Sequence, residues 1–472
     1  MRDLKKIAQG IAWMAAAFLC ASPLFAQTVD GEKPKPAAHD YSLLLDAADN
    51  QQDGDVVRPS RQPDDRPLSG IQNPTVGTAE VRHSYWVPGI RYSNTSRSNG
   101  SSGAANSGWN TTSFVSTDVS LLQAWSHSTL SANYSGGGYF STDNAQANGQ
   151  YQQLAASYEI DLRRWQVVFI DQFSYLPESS FGFGGPSGLS TPGIAGALAV
   201  PLSGLPTGYI PGQTILTAVG PRYSDSGATQ LTYRVSARGS FTIAGTYGIL
   251  RFVNPGNVNS DTEIFNGGYD YALTARDSMG FVYRFGAYRY PGDPQALGDH
   301  SVQFEYGRKV TGRMALKLAG GPEITTFRVP VGTVTNRISG SGNASLTYSL
   351  AANTSGSLQY AHGVSGGSGV FAGATSDQIG ATLSKRLTRV WNGNLNFGYA
   401  RNRQILAANG APSFDTWLAG AGLSRSFGRM ADFSMGYQAQ IQGSGAGATT
   451  ANYTTQQLFF SVQWHSRPLI LH

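Results

Sequence analysis

The residues with the clearest potential for chemistry are Gly363-Val364-Ser365-Gly366-Gly367, with His362 directly before them and Asp377 downstream. A GxSxG pentapeptide belongs to strained strand-to-helix turns that aim a serine at a base, and His and Asp would complete a proton relay. Here it lies where an extended pattern enters a Gly/Ser-rich loop, and no helical pattern follows. A chain with 58 Gly in 472 residues meets such a motif by chance. The seven His follow no metal-ligand spacing such as HExxH, the single Cys offers no paired thiols, and no phosphate-binding Gly loop opens a helix. The expectation is a protein that is not an enzyme and holds no metal or cofactor.

The elements that would position any site come from patterning. Lys+Arg number 34 and Asp+Glu 29, so only 13 % of the chain is charged, against about 25 % in ordinary soluble domains. Mean hydropathy is −0.23, so Gly, Ser, Asn, Gln and Thr stand where charge is missing. Outside the first 26 residues there is no run of about 20 apolar residues of the kind a membrane helix needs. From about residue 84 the chain alternates with period two, which marks strands with two unlike faces. Val302, Phe304 and Tyr306 alternate with Gln303, Glu305 and Gly307; Leu458, Phe460, Val462 and Trp464 alternate with Phe459, Ser461 and Gln463.

Short turns recur near His127, Arg164, Gly239, Asp277, Gly312, Asn353, Arg389 and Arg429, at spacings of 35 to 41 residues with one doubled to 75. Each unit is a strand, a longer loop, a returning strand and a tight turn. Nine units predict an all-β fold, an antiparallel transmembrane barrel of about 18 strands (16 to 20) over 84–465. Strands of 9 to 15 residues with a mostly neutral polar face suit a bilayer, where a sheet must close to leave no backbone group unpaired. Trp125, Trp165, Trp391 and Trp464 fall at the short-turn ends and Phe140, Tyr175, Tyr290 and Phe327 at the opposite ends, as two interfacial girdles require.

Residues 1–26 form an expected signal peptide, with Arg2, Lys5 and Lys6 before the apolar stretch Ile7 to Leu19 and a cleavage site at Leu24-Phe25-Ala26. Cys20 falls within it, so the mature chain would carry no cysteine. Residues 27–83 form a Pro-rich acidic linker, expected to be flexible and periplasmic. The third long loop, 177–228, has seven Pro and 11 Gly, with no charged residue between Glu178 and Arg222. Residues 466–472 are a C-terminal tail. The sequence pI is about 9.1, but the basic residues are scattered singly, so nucleic acid is not an expected partner.

Together these features resemble the porin-like outer-membrane barrels of Gram-negative bacteria. The final strand, with Leu458, Phe460, Val462 and Trp464, is similar to the C-terminal signal read by the barrel assembly machinery, except that eight residues follow Trp464. The resemblance implies an integral outer-membrane protein. It also implies that the third loop folds inward as a constriction, whereas the loop's own uncharged, Pro- and Gly-rich sequence reads as an apolar, fairly rigid plug or an external cap; general porins are often trimers, which makes a homo-oligomer an expectation. No interface is legible.

Placing the oily face outward puts Glu159, Asp161, Arg234, Asp270, Arg284, Glu305, Lys317, Glu323 and Arg337 on the pore lining. The leading expectation is a channel for passive diffusion of small hydrophilic solutes through a polar lumen. A second reading is the outer-membrane barrel of a polysaccharide export system, docked through the acidic linker. A third is a barrel hydrolase using Ser365, His362 and Asp377.

Overall fold

The computed structural model describes residues 84–98, 108–142, 148–176, 221–253, 255–328, 334–351, 353–367, 369, 371–405, 412–428, 430–444 and 453–470. The expected signal peptide, the linker and residues 177–220 of the long loop lie outside them.

Among the described residues every regular element is a strand. In chain order they are β1 (Tyr85–Ser98), β2 (Trp109–Ala124), β3 (Ser128–Ser141), β4 (Gly149–Asp161), β5 (Trp165–Leu176), β6 (Arg222–Arg234), β7 (Gly239–Phe252), β8 (Ser260–Ala272), β9 (Asp277–Arg289), β10 (Ala296–Thr311), β11 (Met314–Arg328), β12 (Val334–Ala351), β13 (Thr354–Ser365), β14 (Ala374–Arg386), β15 (Trp391–Gln404), β16 (Ser413–Phe427), β17 (Ala431–Ser444), β18 (Tyr453–His465) and the two-residue β19 (Leu469–Ile470). Each of β1–β18 pairs antiparallel with its sequence neighbour, and β18 pairs with β1 from Gly89↔His465 to Arg97↔Gln457, so eighteen strands close into a barrel. Closure leaves no sheet edge to satisfy.

Three sequence expectations need correction. Residues 222–228, expected in the long loop, belong to β6; their outward residues Tyr223, Asp225 and Gly227 are not uniformly oily, so alternation was weak there. Strands reach 18 residues in β12, beyond the expected length, because they continue past the apolar band into the loops. The tail does not simply trail away: Ser466 N donates to Pro88 O, and β19 pairs with Tyr85 and Trp86, lengthening the closing seam.

The tight turns have a local cause. Ser236 Oγ accepts from Arg238 N and Gly239 N, Thr274 Oγ1 from Arg276 N and Asp277 N, and Thr388 Oγ1 from Val390 N and Trp391 N. A hydroxyl that takes up two backbone donors makes a short reversal at low cost.

Burial is inverted relative to a soluble fold. Along β10, Val302 and Phe304 are exposed while Asp299, Ser301 and Glu305 are buried; along β17, Met435, Tyr437 and Ile441 are exposed while Gln438, Gln440 and Gln442 are buried. The exposed apolar residues form the outer wall, with Ile338 at 78 % and Phe281 at 60 %. That wall suits lipid, so a charge placed on it is expensive. Phe304→Arg, near the middle of β10, is expected to lower stability by about 2–4 kcal/mol, whereas Gln303→Arg on the inner face costs much less. Urea unfolding in lipid vesicles compares the two.

Candidate functional site

The inner face is the candidate site. Strand parity places all nine sequence-predicted residues on it: Asp270, Glu305, Lys317 and Glu323 are buried, Arg284 and Glu159 partly so, and Asp161, Arg234 and Arg337 exposed. Gln166 Nε2 donates to Glu159 Oε1 at 2.6 Å. Lys317 Nζ lies 3.6 Å from Glu305 Oε2.

The densest cluster spans β9–β11. Arg284 Nη1 lies 2.6 Å from Asp299 Oδ2 and 4.0 Å from Glu323 Oε1, and its Nη2 donates to Tyr288 Oη at 2.8 Å. Both carboxylates are fully buried, and Ser339 Oγ donates to Glu323 Oε2 at 3.3 Å. A Cβ on Gly286 would collide with Asp299 Oδ1, so only glycine leaves this carboxylate its place against the wall. At the seam, Arg91 Nη2 lies 3.3 Å from Asp118 Oδ2 and donates to Gln463 Oε1 at 2.9 Å, tying β1, β2 and β18 together. Parity alone would have found Arg91, Asp118 and Asp299, because each is an even number of residues from a polar inward neighbour. Their pairings depend on register between strands.

The tip of the β13–β14 hairpin was not anticipated. β13 stays paired to β12 only up to His362, while its pairing with β14 continues to Ser365↔Ala374. Beyond His362, β13 parts from β12 while β14 stays paired to β15 as far as Ala374↔Gln404, so the free β13 edge and the connection after it lean into the lumen. Val364 would face outward by alternation, yet it is buried with Tyr288, Tyr290, Leu297, Phe327 and Ala372. Tyr288 Oη donates to Val364 O at 3.3 Å, and Val258 N to Gly369 O at 2.7 Å. From there the segment reaches β16, where Phe371 packs on Phe414 with ring centroids 5.2 Å apart. Gly367 has φ +82°, and a Cβ there would strike Phe371 O, so the tip bends only with glycine. Gly366, Gly367, Gly369 and residues 371–373 therefore lie against β8–β11 on one side and β16 on the other, across the lumen.

This packing corrects the girdle assignment. Phe327 and Tyr290, expected at the membrane interface, are each 2 % exposed and hold the crossing segment from inside. Phe140 is exposed on the outer wall, and Tyr175 stacks on Tyr223 with centroids 4.5 Å apart.

Strand parity separates the serine from its imagined partners. His362 Nδ1 is 2.6 Å from Asp377 Oδ1 on the outer face, whereas Ser365, three residues on and of opposite parity, donates to Ala374 O at 3.4 Å. Ser365 and His362 do not form a nucleophile–base pair. The long third loop, expected to constrict the pore, lies outside the described residues.

No protein-family model matches the chain, and no curated protein sequence matches it. Solved structures similar to it include several from Pseudomonas aeruginosa. OpdQ aligns at 10 % identity and TM-score 0.41, over 82 % of this chain and 98 % of that one. The outer membrane protein OpdK aligns at 9 % identity and TM-score 0.42, over 81 % and 99 %. OccK9 (OpdG) aligns at 12 % identity and TM-score 0.41, over 82 % and 98 %.

Proposed function

We propose that this barrel is an integral outer-membrane, porin-like channel through which small hydrophilic solutes diffuse passively. The observation that carries the reading is a closed eighteen-strand wall with an apolar outer face and an inner face of hydroxyls, carboxamides and paired charges. Such a lumen can replace part of a solute's hydration by hydrogen bonds while the wall excludes lipid. Glu159, Asp161, Arg234, Asp270, Arg284, Glu305, Lys317, Glu323 and Arg337 are its lining, with both signs interspersed. The bilayer and the barrel assembly machinery are its partners, the latter through Leu458, Phe460, Val462 and Trp464 on the outer face of β18. The long third loop narrows the passage further, and the N-terminal segment is removed on export.

The test is solute-driven swelling of vesicles holding the refolded protein. Small neutral sugars are expected to enter faster than into protein-free vesicles, and larger oligosaccharides are expected to be refused. Equal rates with and without protein would end this reading.

A further inference from the structure

The outer wall carries a basic notch at the loop end of β9–β11. Cα pairing sets Arg289, Ala296 and Arg328 in one row, Ala287, Gly298 and Thr326 in the row beneath, and Phe285, His300 and Ile324 in the next. Parity with the exposed Phe281, Val302, Phe304 and Ile324 places all three rows on the lipid-facing side. Ala296 and Gly298 leave a depression between the arginines, and a Cβ on Gly298 would find only Gly286 O within 4 Å, at 3.9 Å.

The neighbouring acids are already matched. Asp261 pairs with Arg251, and Glu263 Oε2 lies 3.2 Å from Arg289 Nη2. The Arg289 side chain is still 65 % exposed, and Arg328 is exposed with no ion pair among the described residues. One positive charge is thus in surplus beside a second guanidinium that has donors to spare. Strands about 4.8 Å apart place these two arginines about 10 Å apart at Cα, close enough for long side chains to converge on one group. A guanidinium fork matches phosphate oxygens, and the small residues between give a headgroup room to sit.

We propose that this notch binds the phosphate of an anionic lipid headgroup in the leaflet on the loop side, with the acyl chains lying along Phe281, Val302, Phe304 and Ile324. The proposal rests on the membrane-spanning reading of the barrel. Lipid is favoured over a free anion because the depression opens downward onto exposed apolar wall.

The test is native mass spectrometry of the full chain taken from nanodiscs of phosphatidylglycerol or phosphatidylcholine. Phosphatidylglycerol is expected to stay bound in preference to phosphatidylcholine. Each arginine near an anionic lipid surface contributes roughly a fivefold preference, so Arg289→Gln with Arg328→Gln is expected to lose about 25-fold of it. Gly298→Leu, which fills the notch without changing charge, is expected to lose retention too. Arg425→Gln, at the opposite rim over the Trp391 and Phe427 rings, is expected to retain it. Retention unchanged in both notch variants, loss equally large in Arg425→Gln, or displacement of the lipid by inorganic phosphate would each overturn the proposal. A chain that never enters nanodiscs would overturn the spanning reading itself, an outcome distinct from the other three.

Discussion

Arg284→Met is expected to destabilise the barrel by about 3–5 kcal/mol, the usual result when one partner of a buried ion cluster is removed. The size follows from what remains. Asp299 and Glu323 are fully buried on adjacent strands, and Arg284 is the cation within 4.0 Å of both. Without it, two carboxylates face each other with little water to screen them. Tyr288 also loses the guanidinium that orients its hydroxyl toward Val364 O. Adding Asp299→Asn and Glu323→Gln to Arg284→Met removes the uncompensated charge and is expected to restore most of the loss, because neighbouring sites couple rather than add. Urea unfolding of the folded barrel in vesicles measures all three variants. A loss within about 1 kcal/mol for Arg284→Met alone, the range of an exposed ion pair, would mean that the cluster is solvated.

Replacing 366–373 by a short Gly-Ser turn is expected to widen the passage, raising conductance severalfold and admitting larger sugars in vesicle swelling. The described residues of this stretch link the Tyr288–Leu297–Phe327 side to Phe414 across the lumen. A gentler variant, Phe371→Ala, removes one ring of the Phe371–Phe414 contact and is expected to move both readouts the same way by less. Unchanged conductance in the replacement variant would place the narrowest point elsewhere, with the third loop as the leading alternative.

Much of the fold was legible because a barrel wall is written locally. In β18, Leu458, Phe460, Val462 and Trp464 alternate with polar or inward residues, and that pattern alone orients the strand. Turn spacing then gave the strand number and the antiparallel order. β6 was partly hidden because Asp225 and Gly227 occupy outward positions where oil is expected. The inner charges were found by the same parity, but which acid meets which base depends on register between strands, as at Arg284, Asp299 and Glu323.

The crossing segment was not legible for a different reason. Val364 has the parity of a lipid-facing residue and becomes an inner one only because β13 separates from β12 after His362. That separation is favoured by Tyr290, Leu297 and Phe327, residues some 35 to 75 positions earlier in the chain. Phe327 shows how a residue type can mislead: an aromatic ring at a strand end suggests an interface, while its parity, shared with Glu323 and Thr325, points inward. GVSGG is thus the bend at the hairpin tip rather than a nucleophile turn. It is the glycines of that motif that the structure uses.

That this barrel conducts is tested by planar-bilayer recording of the refolded full chain beside a variant lacking 180–219. A channel gives discrete conductance steps, larger in the shortened chain, with weak ion selectivity from a lumen lined by both signs of charge. Folded, inserted protein that passes no current in either form would contradict it.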